Sequence, residues 1–444
     1  MNKLIKISLI FFLISLIFFW FLDYDFKKKQ FTFKNIKSFL SKQTITSLKD
    51  IYTNFIDVYF IKTEENTFML NDQKIIYEKY SNKLIKNRYY LEQNTKNIFF
   101  ITPLGNLFYL QKKNFLIKNK LIKIKSNIKK IIGENYFKKE RYIIKEMLII
   151  DDEIFISYLF NKSGCYSNSI LRGKLSLDFI EFSNFLTIEE CERRFNWAVG
   201  GNLKKYKKNQ ILLSTGDYNG YEDPSSYIEY DDPQNKESFY GKILSIDLIT
   251  KKIDLISMGH RNPQGLFYDE IEDIIFSTEH GPQGGDEINI NNNPSPDDIK
   301  NFGWPISSYG EHYGAEEGLS NIYEKNPKLA YGPYKRAPLY KSHKKYGFEE
   351  PFKYFTPSIG ITEILKVKNR NTKNSKLLIA SMGDNKDEGD MSLHIVEIDE
   401  NLKEMNYSRI YIGERIRDII DLGNGSILMS LESTGSFGVI KNIY

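Results

Sequence analysis

The sequence predicts an all-β fold, a six-bladed β-propeller, preceded by an N-terminal transmembrane helix. Three observations predict it. From about Thr67 onward, short β-branched and aromatic runs alternate with polar turns, a pattern of strands rather than helices. A short apolar strand, often running into Ser or Thr, recurs about six times, most copies roughly 50 to 60 residues apart, as repeated four-stranded blades require. Residues 7–22 form a nearly unbroken apolar run, roughly the length of a short membrane span.

Lys3 and Lys6 precede the apolar run, and Trp20, Tyr24 and Lys27 to Lys29 follow it. Aromatic and basic residues suit a membrane interface. No small-x-small cleavage site follows, which favours an uncleaved anchor over a signal. Basic residues on both sides leave its orientation open. Residues 1–24 are therefore the expected anchor (or signal). Residues 25–62 are the expected helical or linker segment, with apolar spacing at Ile36, Phe39 and Leu40 and again at Leu48, Ile51, Tyr52, Phe55 and Ile56. The propeller is expected over 63–444.

The recurring strand is read at 98–102, 154–157, 211–215, 274–278, 377–381 and 427–430. Longer units agree: 241–247 reads as a strand, 248–252 as a hairpin turn and 253–256 as the return, and 393–399 opens an analogous unit. A β-sandwich with coincidental spacing is the alternative. The propeller is preferred because the copies span most of the chain.

With 444 residues, a hydrophobic fraction of 41% and an aromatic fraction of 14%, the chain supports a large core. The net charge of +5 comes from lysines scattered among acids, with no basic stripe, which speaks against nucleic-acid binding. Cys165 and Cys191 are too few for a zinc site; a disulfide in an oxidising compartment and two inert thiols both fit. There is no P-loop, no HExxH and no dinucleotide fingerprint. Residues 384–390 read as a solvated acidic turn. Tyr218, Tyr221, Tyr227 and Tyr230 read as a loop packed by its own tyrosines or able to stack a sugar ring.

Polar chemistry gathers in residues 259–304. The stretch holds His260, Arg261, Asn262, Glu279, His280, Asp286 and Glu287, spaced by glycines that allow a backbone to approach a ligand closely. In a propeller, the loops entering and leaving one repeated strand surround the channel mouth, so this stretch is the expected floor of a ligand site. From the residues alone, Arg261 could pair with Glu279 or Asp286, Arg415 and Arg417 could be surface charges, and Glu287 could cap a loop. His260 and His280 are better read as hydrogen-bonded structural residues than as catalysts.

The motifs Gly259-His260-Arg261-Asn262-Pro263-Gln264-Gly265-Leu266, Glu279-His280-Gly281-Pro282-Gln283-Gly284-Gly285-Asp286-Glu287-Ile288-Asn289, Phe302-Gly303-Trp304-Pro305 and Arg415-Ile416-Arg417-Asp418 resemble those of the glucose/sorbosone dehydrogenases. That resemblance implies a six-bladed propeller, many relatives of which use pyrroloquinoline quinone (PQQ) and Ca2+. It implies that Arg261 and Asn262 sit at the quinone and that Arg415 and Arg417 hold its carboxylates. It further implies that the carbonyls of Gly281 and Pro282 bind the cofactor's calcium, and that Glu287, with the carbonyl of Phe302, binds a second one. The substrate expected is a sugar or small alcohol, the electron acceptor is unspecified, and the body is expected to be periplasmic or extracellular.

Two departures stand against it. The family's general-base histidine precedes a Gly-Gly pair, where this chain has Ala198-Val199-Gly200-Gly201. The family's cofactor-contacting lysine falls in a region that here reads Ala380-Ser381-Met382-Gly383-Asp384, with Lys386 out of register. Three readings remain: a substitute base (His260, His280, His312 or Asp217), binding without turnover, or a scaffold that has lost the site.

Overall fold

The computed structural model describes residues 23–25, 30–32 and 58–444, apart from 71–72, 83–84, 86, 141, 189, 191–197, 219–231, 283, 311–342, 369–372 and 444. The chain divides into two units, Met1–Val58 and Tyr59–Tyr444. In the first, Asp23–Asp25 pairs antiparallel with Gln30–Thr32. The apolar run 7–22 and the expected helices over 36–56 lie outside the described residues. Among the described residues no helix is long and apolar enough to cross a membrane. Two strands fall within the expected helical or linker segment. Gln30–Thr32 is a strand, and the strand Val58–Leu70 begins ahead of the expected boundary at 63.

The second unit is all-β, with the architecture of a β-propeller. Six inner strands, Tyr90–Gln93, Ile144–Ile150, Gly200–Tyr206, Pro263–Asp269, Ile361–Lys368 and Ile416–Asp421, each neighbour the next. The last neighbours the first, which closes a ring around a channel. From each, antiparallel strands step outward. Closure joins the two ends of this unit: Ile416–Asp421, Ser426–Leu431 and Ser436–Lys441 are completed by Gln73–Ser81, which pairs with the final strand. Each inner strand pairs on one side only, and the ring turns its unpaired edge toward the channel, away from other chains.

All six copies of the recurring strand are the second strand of their sheet, hydrogen-bonded on both sides. Neighbouring sheets cover both faces, so Asn97–Ile101, Ile274–Glu279, Ser375–Ser381 and Ser426–Leu431 are buried throughout. This is why the pattern reads as a continuous apolar run rather than an alternation. The cores lie between sheets: Leu148, Phe155 and Ile170 pack with Leu203, Leu213 and Leu244 of the following one.

The hydroxyl that ends most copies has a physical role. Ser157 donates to the carbonyl of Gly201, Ser214 to that of Pro263 at 3.1 Å, Thr278 to that of Thr362 and Ser430 to that of Tyr89 at 2.7 Å. Each acceptor lies at the start of the next inner strand or just before it. In four inner strands the register with the second strand shifts near its start, between Gly200 and Leu203, Pro263 and Gly265, Ile361 and Ile364, and Ile416 and Asp418. Such a bulge takes backbone groups out of the ladder and re-aims side chains. The hydroxyls satisfy carbonyls there and join neighbouring sheets.

Candidate functional site at the channel mouth

The stretch 259–304 is held by its glycines and its buried acids. Gly259 adopts φ +74°, and a Cβ on it would meet Asn301 Oδ1 at 2.3 Å and the Gly303 amide nitrogen at 2.6 Å. Only glycine lets the Phe302–Trp304 segment lie this close, where Phe302 N donates to Met258 O and Trp304 N to Gly259 O, each at 2.9 Å. Asp286 accepts from the Gly281 amide at 3.0 Å and from the Ile359 and Ile361 amides at 3.1 and 2.9 Å, fixing the 281–285 loop to the next sheet.

Glu279 takes the backbone of Arg261, not its guanidinium. Its Oε2 accepts from Arg261 N at 2.8 Å, while Oε1 meets His260 Nδ1 at 3.3 Å and Asn289 Nδ2 at 2.7 Å. The Arg261 guanidinium instead donates from Nη1 to the His280 carbonyl at 2.7 Å and lies 5.6 Å from the Trp304 ring. Trp304 Nε1 donates to Asp217 Oδ2 at 2.7 Å, and the Asp217 amide donates to Arg261 O at 2.8 Å. Asn262 Oδ1 accepts from the Gly200 amide at 3.1 Å and from Gln264 Nε2 at 2.9 Å.

Arg261, His280, Gly281, Pro282, Glu287 and Phe302 line one cavity. The structure thus brings together most of the residues that the resemblance singled out. His260, fully buried between Ser257 Oγ at 2.8 Å and Glu279, is packed on Phe302 and has no open path to a substrate. Burial first, and then the charges of Arg261, Arg417 and Arg415, push His280 down to about 4 against the pull of Asp286. Its imidazole is neutral at pH 7 and a weak proton acceptor. Ala198 is buried at φ +44°, and its carbonyl accepts from Tyr218 N at 3.1 Å. A methyl group there offers no base. His312, Tyr221, Tyr227 and Tyr230 lie outside the described residues.

Arg415 and Arg417 are not free surface charges. Arg417 donates from Nε and Nη2 to Glu432 Oε2 at 2.8 and 2.6 Å and reaches Gln264 Oε1 at 3.4 Å. Arg415 Nε lies 3.8 Å from Glu432 Oε1. In a regular strand, residues two apart point the same way, which would aim both at the channel. In fact Arg417 sits in the bulge between Ile416 and Asp418, and Arg415 precedes the strand.

Sequence reasoning missed three neighbours. Arg88 donates to Glu432 Oε1 at 3.2 Å and stacks on Tyr142 at 3.8 Å. Three guanidinium groups therefore converge on Glu432. Burial works against the Glu432 carboxylate, but Arg417 and Arg88 hold it below its usual range. His343, 1% exposed, also lines the cavity; its Nδ1 meets Ser307 Oγ at 2.6 Å and its Nε2 lies 3.5 Å from Glu287 Oε1. No sequence motif points to Arg88 or Glu432. The Phe-Gly-Trp-Pro motif ends just short of Ser307.

Below the mouth, the carboxylates of Glu146, Glu363 and Asp418 lie within 4.8 Å of one another. Asn202 Nδ2 donates to Glu146 at 3.2 Å and to Glu363 at 2.7 Å, and Lys204 lies 3.6 Å from Glu363. Burial and then Glu363 push the Asp418 carboxyl up to about 8 against the pull of Lys204.

Cys165 is disulfide-bonded, and the chain's other cysteine, Cys191, lies outside the described residues.

Three comparisons bear on this site. The family described as glucose/sorbosone dehydrogenase matches residues 150–439. An uncharacterised protein of Synechocystis sp. is 27% identical over 237 residues, 50% of this chain and 50% of that protein. The aldose sugar dehydrogenase YliI of Escherichia coli is 27% identical over 167 residues, 36% of this chain and 44% of that one. The matched stretch spans half or less of the length of these curated relatives. Among solved structures, a glucose dehydrogenase superposes with a TM-score of 0.59 at 19% identity, covering 80% of this chain and 96% of that one, which is a likeness of fold.

Proposed function

The chain belongs to the glucose/sorbosone dehydrogenase family, and we propose that it is a six-bladed, PQQ- and calcium-dependent oxidoreductase that oxidises an aldose or similar alcohol. The observation that carries this reading is the convergence of Arg88, Arg415 and Arg417 on the single carboxylate of Glu432 beside Gln264 and Asn262. Three cations against one anion leave positive charge at the mouth, and planar guanidinium forks suit a polycarboxylate ligand. The residues present thus fit a quinone tri-acid.

Calcium fits less evenly. Gly281 and Pro282 line the cavity, where their carbonyls would serve a hard cation. Glu287, in contrast, faces the His343 imidazole, a nitrogen donor that calcium does not favour.

When bound, the quinone supplies the hydride acceptor. The chain's own part is positioning and charge. Arg261, held by Glu279 through its backbone and by His280 through its guanidinium, presents a cation where negative charge develops. Asn262 is pinned by Gly200 and Gln264. Trp304, fixed by Asp217, walls the cavity beside Arg261.

A second reading, a propeller that binds cofactor or carbohydrate without turnover, is favoured by Ala198 in place of the base. Removing a general base costs about a hundred- to ten-thousand-fold in rate. The decisive experiment purifies the protein, adds PQQ with calcium, measures binding by calorimetry and follows dye reduction over an aldose panel. Binding with turnover supports the oxidoreductase. Binding alone supports the second reading. No binding removes both cofactor readings.

We further propose that residues 1–24 anchor the protein in a membrane and that the body works in the periplasm or outside the cell, passing electrons to an acceptor of unspecified identity. The disulfide at Cys165 supports an oxidising compartment. Fractionation with carbonate washing tests the anchor: release of the full-length chain into the soluble fraction would refute it.

A further inference from the structure

Lys145 stands at the second residue of the inner strand Ile144–Ile150, against Gly201, whose neighbour Gly200 donates its amide to Asn262. Its stem lies against Gly201: a Cβ on that glycine would come 2.6 Å from Lys145 Cβ and 2.8 Å from Cγ. Gly201, at φ +103°, therefore does more than turn the chain, because its missing side chain is the space the lysine occupies. Arg88 and Arg417 share Glu432, whereas among the described residues Lys145 has no ion pair and no side-chain hydrogen bond. The site thus has one more cation than its own acids engage.

We propose that Lys145 is an anion-binding side chain of the channel mouth, acting with Arg88 and Arg417 on a carboxylate of a polyacid ligand. Only the identity of that ligand as the quinone rests on the function proposed above. Nothing in the family motifs of this chain points to Lys145. It lies two sheets from Arg261, and the Ala380–Asp384 region, where a cofactor-contacting lysine is expected, offers none in register.

The electrostatics agree with the geometry. Burial, and then Arg88 and Arg417, push the Lys145 amine down to about 7, with Glu140 opposing. An arriving carboxylate favours the charged amine and raises it again. Binding is therefore coupled to proton uptake near and above pH 7, and affinity falls as the pH rises through that range.

The test is titration calorimetry of the purified protein with PQQ, with citrate and with inorganic phosphate, each in two buffers of different ionisation enthalpy. The variants are Lys145→Gln and Lys145→Arg, with circular dichroism to confirm folding. The expected result is that Lys145→Gln weakens polyacid binding by about ten-fold or more and abolishes proton uptake, while Lys145→Arg keeps the affinity and loses its dependence on pH near 7. Wild-type affinity and proton uptake in Lys145→Gln would overturn the proposal and leave the quinone reading standing. If the wild type binds citrate in a Lys145-dependent way but not PQQ, the proposal stands and the quinone reading fails. If it binds no polyacid, both fail. Should Lys145→Gln not fold, Lys145→Arg decides alone: unchanged proton uptake in it overturns the proposal.

Discussion

Asn262 Oδ1 accepts a hydrogen bond from the amide of Gly200, 3.1 Å away, across two neighbouring sheets. The contact joins the Arg-Asn motif to the turn that carries Ala198. Through Gln264, the same side chain is linked to Arg417. Asn262 is thus a structural rivet between sheets.

Asn262→Ala removes the acceptor of a part-buried amide. It is expected to cost about 1–3 kcal/mol in stability, read from denaturant unfolding. Asn262→Asp keeps the acceptor and should cost less. Equal losses in the two variants would show that the amide contact contributes nothing.

Ala198→His supplies a base at the position where the family carries one. The backbone there has φ +44°, a region histidine tolerates better than most residues. Dye-linked oxidation of an aldose is expected to rise by about a hundred-fold or more. Unchanged turnover in a folded, cofactor-binding variant would locate the base elsewhere.

Asp418 makes stability depend on pH. The unfolded chain ionises it near pH 4, while the folded chain retains its proton to about pH 8. The folded state therefore binds more protons across that window, so this contribution falls as pH rises from about 4 to 8 and is flat above. Asp418→Asn retains an acceptor for the Leu91 amide. It should reduce the slope of stability against pH by up to about 1.4 kcal/mol per pH unit, measured as Tm over that range. A slope equal to wild type would refute the assignment.

Ser214→Ala tests the bonds between sheets. Its Oγ donates to the Pro263 carbonyl and accepts from the Asn202 amide at 3.0 Å. Loss of about 1–3 kcal/mol is expected, because two buried partners are left unsatisfied. Calorimetric unfolding that matches wild type would remove the hydroxyl from the account of how sheets are joined.

Much of the fold was legible in the sequence. A second strand, paired on both edges and covered on both faces, needs an unbroken apolar run, and Ile98-Phe99-Phe100-Ile101 or Leu377-Leu378-Ile379-Ala380 reads as one. The outer strand Glu404–Tyr411 instead alternates in exposure and was not singled out. Within the site, Arg261, Asn262, Gly281, Pro282 and Glu287 were legible because they lie in one continuous stretch. The strand nature of Val58–Leu70 was not, since most of its residues are exposed and it carries little apolar pattern.

By itself the sequence determined the repeating second strand, the hydroxyls that follow it and the polar stretch at the channel mouth. These depend on burial pattern and on glycine spacing, both of which are local. Tertiary structure alone decided which charges share the site. Arg88 and Glu432 are 344 residues apart and meet only because Gln73–Ser81 closes the last sheet. Lys145 packs against Gly201 because that glycine has no side chain to fill the space. His260 and His280 look alike in sequence, yet ring packing buries one completely and leaves the other lining the cavity under the field of three arginines. Convergence around a closed channel is a property of the ring, and no local run of residues encodes it.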